Sequence, residues 1–140
     1  MDTGLRPTLA AATLAALACL AAGQALAQSQ GVSDKDIVIG SIQDLSGPLA
    51  SAGKTARNGM QLRVDEINEQ GGVNGRQLVL KVEDSAYDPK KAFLAAQKLV
   101  NQDKIFIMVG HIGTAQNMAA FPVQFAKTVV NFMPLTSARE

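Results

Sequence analysis

Apolar residues along this chain alternate between two kinds of spacing. Ile37-Val38-Ile39-Gly40-Ser41-Ile42 is a short β-branched run with almost no alternation, the pattern of a strand covered on both faces. Asp44 to Pro48 then reads as a loop. From Lys54 to about Gln70 the period lengthens, and Ala56, Met60, Val64 and Ile67 fall on one helical stripe. Gly71-Gly72 stops that helix, and Val73-Asn74-Gly75 supplies a turn with left-handed backbone. Leu78, Leu80 and Val82 alternate with Gln77, Lys81 and Glu83, which predicts a strand nearer a sheet edge, although Val79 breaks the alternation. Asp88-Pro89 predicts a capped second helix with Ala92, Phe93, Ala96, Leu99 and Val100 on its apolar face. Ile105 to Val109 is a second continuous apolar run, read as a buried strand. Ala115 to Lys127 predicts a third helix, broken or bent at Pro122, and Val129 to Met133 a fourth strand. Gly31 to Lys35 reads as a loosely docked lead-in.

The sum is βαβαβαβ. Strands joined through helices specify an α/β fold with a doubly wound parallel sheet. Ligands of such sheets bind outside the carboxyl ends of the strands. Four loops lie there: Gln43 to Gly53, Asp84 to Asp88, Gly110 to Thr114, and Pro134 to Arg139.

The first residues change this picture, because they belong to no strand or helix of the sheet. Arg6 precedes an uncharged Ala- and Leu-rich stretch from Leu9 to Leu26, followed by Ala25-Leu26-Ala27 and polar Gln28-Ser29-Gln30. This is the pattern of a secretory signal peptide over residues 1–27, cut after Ala27. A membrane anchor is the rival reading, but Gly23 and Gln24 interrupt the stretch and Ala contributes little burial. Cys19 lacks the Leu that a lipoprotein site carries three residues earlier; Ala16 stands there. Residues 28–140 therefore form one small exported domain without cysteine, held by core burial alone and with no stable membrane insertion after cleavage.

Charge narrows the partners. The chain has 13 Lys+Arg against 12 Asp+Glu, and aromatics make up 4% with no Trp. Neither an electrostatic footprint nor a stacking platform for nucleic acid follows. Gly47 to Thr55 lies where a P-loop would, but has five residues between its glycines where that motif needs four. No dinucleotide fingerprint occurs, and no cofactor is implied. Glu83, Asp84 and Asp88 cluster without an EF-hand spacing or a His or Cys partner, so no metal site is expected. His111 is the one histidine and has no Gly-x-Ser-x-Gly elbow beside it. What remains is small hydroxyl and Gly residues at strand ends: Ser46-Gly47, Gly113-Thr114 and Thr136-Ser137. Helix N–H groups beside hydroxyls can hold a carboxylate. Ser and Thr equally cap helices with no ligand at all.

The chain resembles the N-terminal lobe of periplasmic solute-binding proteins of ABC importers, of the leucine/isoleucine/valine-binding type with the type I binding-protein fold. The resemblance rests on Ile37-x-Ile39-Gly40 with Ser46-Gly47-Pro48; on Asn58-Gly59, Ile67-Asn68 and Gly71-Gly72-Val73-Asn74-Gly75; on Glu83-Asp84 with Asp88-Pro89; and on Val109-Gly110-His111. It implies a two-lobed protein that closes over its ligand. It implies a ligand-binding hydroxyl at Thr114 and further groups at Thr136-Ser137, with Ser46, Gly113 and His111 on the same edge, holding the carboxylate and ammonium of an amino acid. It implies an inner-membrane permease as partner, a periplasmic location and no catalysis. Three departures stand out. Ala52 occupies a position where the family often carries an aromatic wall. Tyr87 and Gly113 stand where the best-known members pair two cysteines. The family's chains are also longer, so a fragment of the first lobe is expected.

Two rival functions share these residues: an exported hydrolase using His111, and a ligand sensor on the same fold. The expectation nearest to test is the leader. N-terminal sequencing of the protein from the periplasm of its source cells is expected to begin at Gln28; an intact Met1 would contradict cleavage.

Overall fold

A computed structural model describes residues 29–137 of the chain. The signal-peptide reading, Cys19 and Arg139 lie outside the described residues. The elements run β1 (Asp36–Gln43), α1 (Ala50–Glu69), β2 (Gln77–Asp84), α2 (Pro89–Gln97), β3 (Ile107–Val109), α3 (Thr114–Phe125) and β4 (Val130–Phe132). The strands form one sheet in the order β2-β1-β3-β4. Every pairing is parallel: β1 runs alongside β2 from Asp36↔Gln77 to Gln43↔Asp84, and alongside β3 at Ile39↔Ile107. This is the doubly wound α/β arrangement, with β2 at an edge as its alternation predicts.

The crossover from β1 to β2 runs one way and those from β2 to β3 and β4 the other. Right-handed crossovers then put α1 on one face and α2 with α3 on the opposite face. The core lies on the two-helix face. There Ile42 of β1 and Met108 of β3 meet Ala92, Ala96, Leu99 and Val100 from the α2 segment, with Ala120 and Val129. Small alanines let α2 and α3 pack closely on each other and on the sheet. α2 ends in a π-helical turn, Lys98–Gln102, which buries the adjacent Leu99 and Val100 together.

Several expectations are corrected. The lead-in is pinned: the Gln30 side chain donates to the carbonyls of Val100 and Ile105, and Val38 N–H donates to the Gly31 carbonyl. α1 begins at Ala50, four residues early, because Asp44 gathers the Gly47 and Leu49 N–H groups and closes the loop ahead of it. Gly53 is thus no loop residue but a helical one. On α2, Ala95 is buried and Phe93 lies at the surface. Ile105 is buried, but pairing in β3 starts at Ile107 and Phe106 is exposed. α3 runs through Pro122 to Phe125 without a break, since Pro122 is exposed and the helix ends within one turn of it. β4 is confined to Val130–Phe132, and Val130 and Phe132 remain 59% and 52% exposed.

The Asn74-Gly75 pair has φ of 52° and 79° and closes a two-residue hairpin turn between Val73 and Arg76. Gly53 matters for a different reason. A Cβ there would overlap the Asp44 carbonyl oxygen, a backbone atom that cannot step aside. Gly53→Ala is therefore expected to cost about 3 kcal/mol, an overpacking penalty at the upper end of the usual range. Gly59→Ala, on the same helix with open space around it, should gain up to about 1 kcal/mol. Urea unfolding of both variants checks this; equal effects would contradict the contact.

Candidate functional site

Because the sheet is parallel, the loops after all four strands emerge at one edge, and hydrogen bonds stitch them in a row. Asp84 ties the first to the second. Its carboxylate accepts from Leu45 N–H at 2.8 Å, Ala86 N–H at 2.8 Å and the Ser46 hydroxyl at 2.6 Å. Burial pushes this carboxyl upward, but those three bonds and the charge of Lys91 outweigh it and hold it below the usual range. Ser46 is thereby fixed at the rim, with its hydroxyl turned onto Asp84.

The second and third loops meet at Tyr87. Ala86 and Tyr87 both take left-handed backbone, with φ of 47° and 59°. The bend carries the Tyr87 ring over Gly113, where a Cβ would lie 2.9 Å from the ring. Gly113 itself has φ of 95°, so its identity answers both a backbone and a space requirement. Gln116 donates from its side chain to the Tyr87 carbonyl.

The third and fourth loops continue the sheet. Gly113 N–H donates to the Leu135 carbonyl, and Leu135 N–H to the His111 carbonyl, each at 2.9 Å. Above this ladder the hydroxyls of Thr114 and Thr136 lie 2.5 Å apart. Beneath it, buried Asn117 donates to the carbonyls of His111 and Gly113 and accepts from Asn131. α3 opens at Thr114 with Gly113 as a cap that has no side chain to offer. Its first helical bond is Asn117 N–H to the Gly113 carbonyl, so the N–H groups of Thr114, Ala115 and Gln116 point outward from the helix end.

The sequence-derived residues thus fall into groups. Thr114, Gly113 and Thr136 are brought together. Ser137 is exposed on the same loop as Thr136, and Ser46 sits on the first loop beside Asp84. His111 lies in the third loop, but its side chain is fully buried at 0% exposure, and neither ring nitrogen has a hydrogen-bond partner among the described residues. The three acids of the Glu83, Asp84 and Asp88 cluster are separately engaged: Glu83 with Lys98, Asp84 with the first loop, and Asp88 as the cap of α2 through Lys91 N–H. The Gly47 to Thr55 segment passes from loop into helix at Ala50, so Ala50 to Thr55 form the opening turns of α1. Sequence reasoning did not single out Asp84 or Asn117 as organisers. A signal existed for Asn117: α3 buries Gln116, Asn117 and Gln124, amides where a helix facing an apolar core would carry aliphatics.

Burial pushes the His111 ring down from its ordinary 6.5 to about 4. The folded ring stays neutral while the unfolded one gains a proton below pH 6.5, so stability is lost as pH falls through that window. The loss is expected to reach about 2 kcal/mol at pH 5 and about 3 kcal/mol near pH 4. Urea unfolding at pH 7 and pH 5 checks it, with His111→Gln as the variant in which this component disappears.

Residues 36–139 match the family model described as periplasmic binding protein. The Leu/Ile/Val-binding protein BraC3 of Rhizobium johnstonii is 41% identical over 88 residues, which is 63% of this chain and 23% of that protein. The substrate-binding protein LivJ of Streptococcus pneumoniae, solved with isoleucine, superposes with a TM-score of 0.71 at 32% identity, over 74% of this chain and 30% of its own. A solute-binding protein of Rhodopseudomonas palustris BisB5, solved with 3,4-dihydroxybenzoic acid, gives a TM-score of 0.62 at 28% identity, over 71% and 27%. The chain therefore spans less than a third of the length of each of these three relatives. Among the described residues no helix is long and apolar enough to cross a membrane.

Proposed function

The chain belongs to the periplasmic binding protein family, and from that premise we propose that it is part of the N-terminal ligand-gripping lobe of an ABC importer's solute receptor. Residues 1–27 act as the export signal and residues 28–140 as the partial lobe. The solute is a small carboxylate, with a branched-chain or related amino acid first in line. The protein captures it in the periplasm and hands it to an inner-membrane permease, without covalent chemistry.

One observation carries this reading: the outward N–H groups at the start of α3 stand beside the paired hydroxyls of Thr114 and Thr136. A helix N-terminus with directed hydroxyl donors suits a carboxylate. Isoleucine and 3,4-dihydroxybenzoic acid, the ligands of two relatives, share that group. Thr114 and Thr136 then hold the carboxylate, Gly113 lets it approach the backbone, and Ser137 and Ser46 offer hydroxyls nearby. Tyr87 supplies the aromatic surface that Ala52 does not. His111 supports the site from below through its carbonyl, which Asn117 and Leu135 hold. Closure needs a second lobe and a hinge.

A hydrolase reading requires His111 as a base. Its ring is buried, without a partner among the described residues and biased to the neutral form, so it is out of reach of a nucleophile at the surface. A sensor on the same lobe would use the same ligand contacts.

Calorimetric titration of the protein from its source cells with leucine, isoleucine, valine and 3,4-dihydroxybenzoate tests the proposal. At least one is expected to bind. Thr114→Ala should weaken it by about tenfold or more, the worth of a hydrogen bond to a charged group. Unchanged affinity in that variant would remove Thr114 from the site, and turnover of any ligand would overturn the binding-only reading.

A further inference from the structure

The loop after β2 reaches further than its neighbours in the row. β2 and β3 lie on either side of β1, so a contact between the second loop and the third passes over the end of β1. Asp84 to Asp88 makes that crossing. The Ala86 carbonyl lies against Gly47 of the first loop, where a Cβ would collide with it, and the Tyr87 ring lies against Gly113 of the third. Two positions without side chains thus receive this arm, and Tyr87 stands between Ser46-Gly47 and Gly113-Thr114.

The arm is held there against its own backbone preference. Ala86 and Tyr87 are the one consecutive pair of non-glycine residues with positive φ among the described residues. Crowding at Cβ disfavours that conformation at each. Hydrogen bonds hold the bend: Asp84 accepts from Ala86 N–H at 2.8 Å, the Ser85 hydroxyl accepts from Tyr87 N–H at 3.3 Å, and Gln116 donates to the Tyr87 carbonyl. A turn alone would be met by glycine, as it is at Gly71-Gly72. What the strain secures is a side chain. Tyr87 is the only aromatic residue in the four loops of this edge, and it stays 36% exposed beside the opening turn of α3.

The row around it consists of hydroxyls, a carboxylate and backbone amides, which recognise polar groups. In these loops only Tyr87 offers a π-face, and a π-face gains from a second ring beyond the area it covers. We propose that Tyr87 sets the specificity of this edge: among carboxylates gripped at the start of α3, those bearing an aromatic ring bind tighter than saturated ones of equal size. This rests on the carboxylate reading of the site and narrows its solute. The carboxylate meets the N–H groups of α3, and the ring packs offset or edge-on against the exposed part of Tyr87.

Calorimetric titration of the protein from its source cells with two matched pairs tests this: benzoate against cyclohexanecarboxylate, and phenylalanine against cyclohexylalanine. The aromatic member is expected to bind about fivefold tighter, the worth of one aromatic pair. Tyr87→Phe should keep that preference. Tyr87→Leu, which retains apolar bulk, should erase it, and circular dichroism melts check that both variants fold. Equal affinities within the pairs would overturn the inference, as would a preference that survives Tyr87→Leu. Equal losses for both members in Tyr87→Leu would overturn it too, since the ring would then only hold the third loop in place. Binding of isoleucine with none of any ring carboxylate would sink this inference alone. No binding of any carboxylate would overturn the carboxylate reading and this inference with it.

Discussion

The parallel register of β1 between β2 and β3 is the constraint on which everything else hangs. Parallel strands cannot be joined by tight turns, so each connection carries a helix, and each loop that follows a strand emerges at the same edge. That geometry gathers Ser46, Tyr87, Gly113, Thr114 and Thr136 from four separate stretches of chain. It also leaves the opening turn of α3 facing outward where those loops meet. The same winding puts α2 and α3 together on one face, where they cover the aliphatic core.

Hydrogen bonding, rather than apolar packing, holds the edge in shape. Asp84 fastens the first two loops, and Asn117 fastens the last two from beneath. Asp84 does so at the surface, whereas a buried amide such as Asn117 is costly unless satisfied and, when satisfied, fixes a single arrangement. Some of the polar atoms beneath the edge, including those of the His111 ring, have no partner among the described residues. The lobe therefore gives up stability near its loops while the aliphatic cluster at Ile42, Leu99, Ile105 and Met108 retains it. A binding surface that must be preformed, yet polar, imposes this division.

The sequence made the fold legible because its two periods are distinct. The β-branched run at Ile37 to Ile42 reads as a strand covered on both faces, and Met60, Val64 and Ile67 as one helix stripe. Boundaries were less legible where a side chain reaches along the chain. Asp44 closes its loop early and recruits Ala50 to Gly53 into α1. The π-helical turn lets Leu99 and Val100 share the core and obscures the fact that Ala95, not Phe93, continues the buried stripe. At the candidate site, Thr114 and Thr136 were legible as hydroxyls after strands. The Tyr87 ring over Gly113 was not, since it depends on two successive non-glycine residues in left-handed backbone. Asp84 was weighed as a possible metal ligand because proximity in sequence does not reveal that its oxygens are already taken.

The most direct test of the central claim is nuclear magnetic resonance of the amide-labelled protein during addition of isoleucine. The amides of Thr114, Ala115 and Gln116 should shift most, together with that of Thr136, while those around Gly59 on the far helix stay in place. Saturable shifts confined to another surface, with the start of α3 unmoved, would contradict the assignment of this helix end as the carboxylate grip.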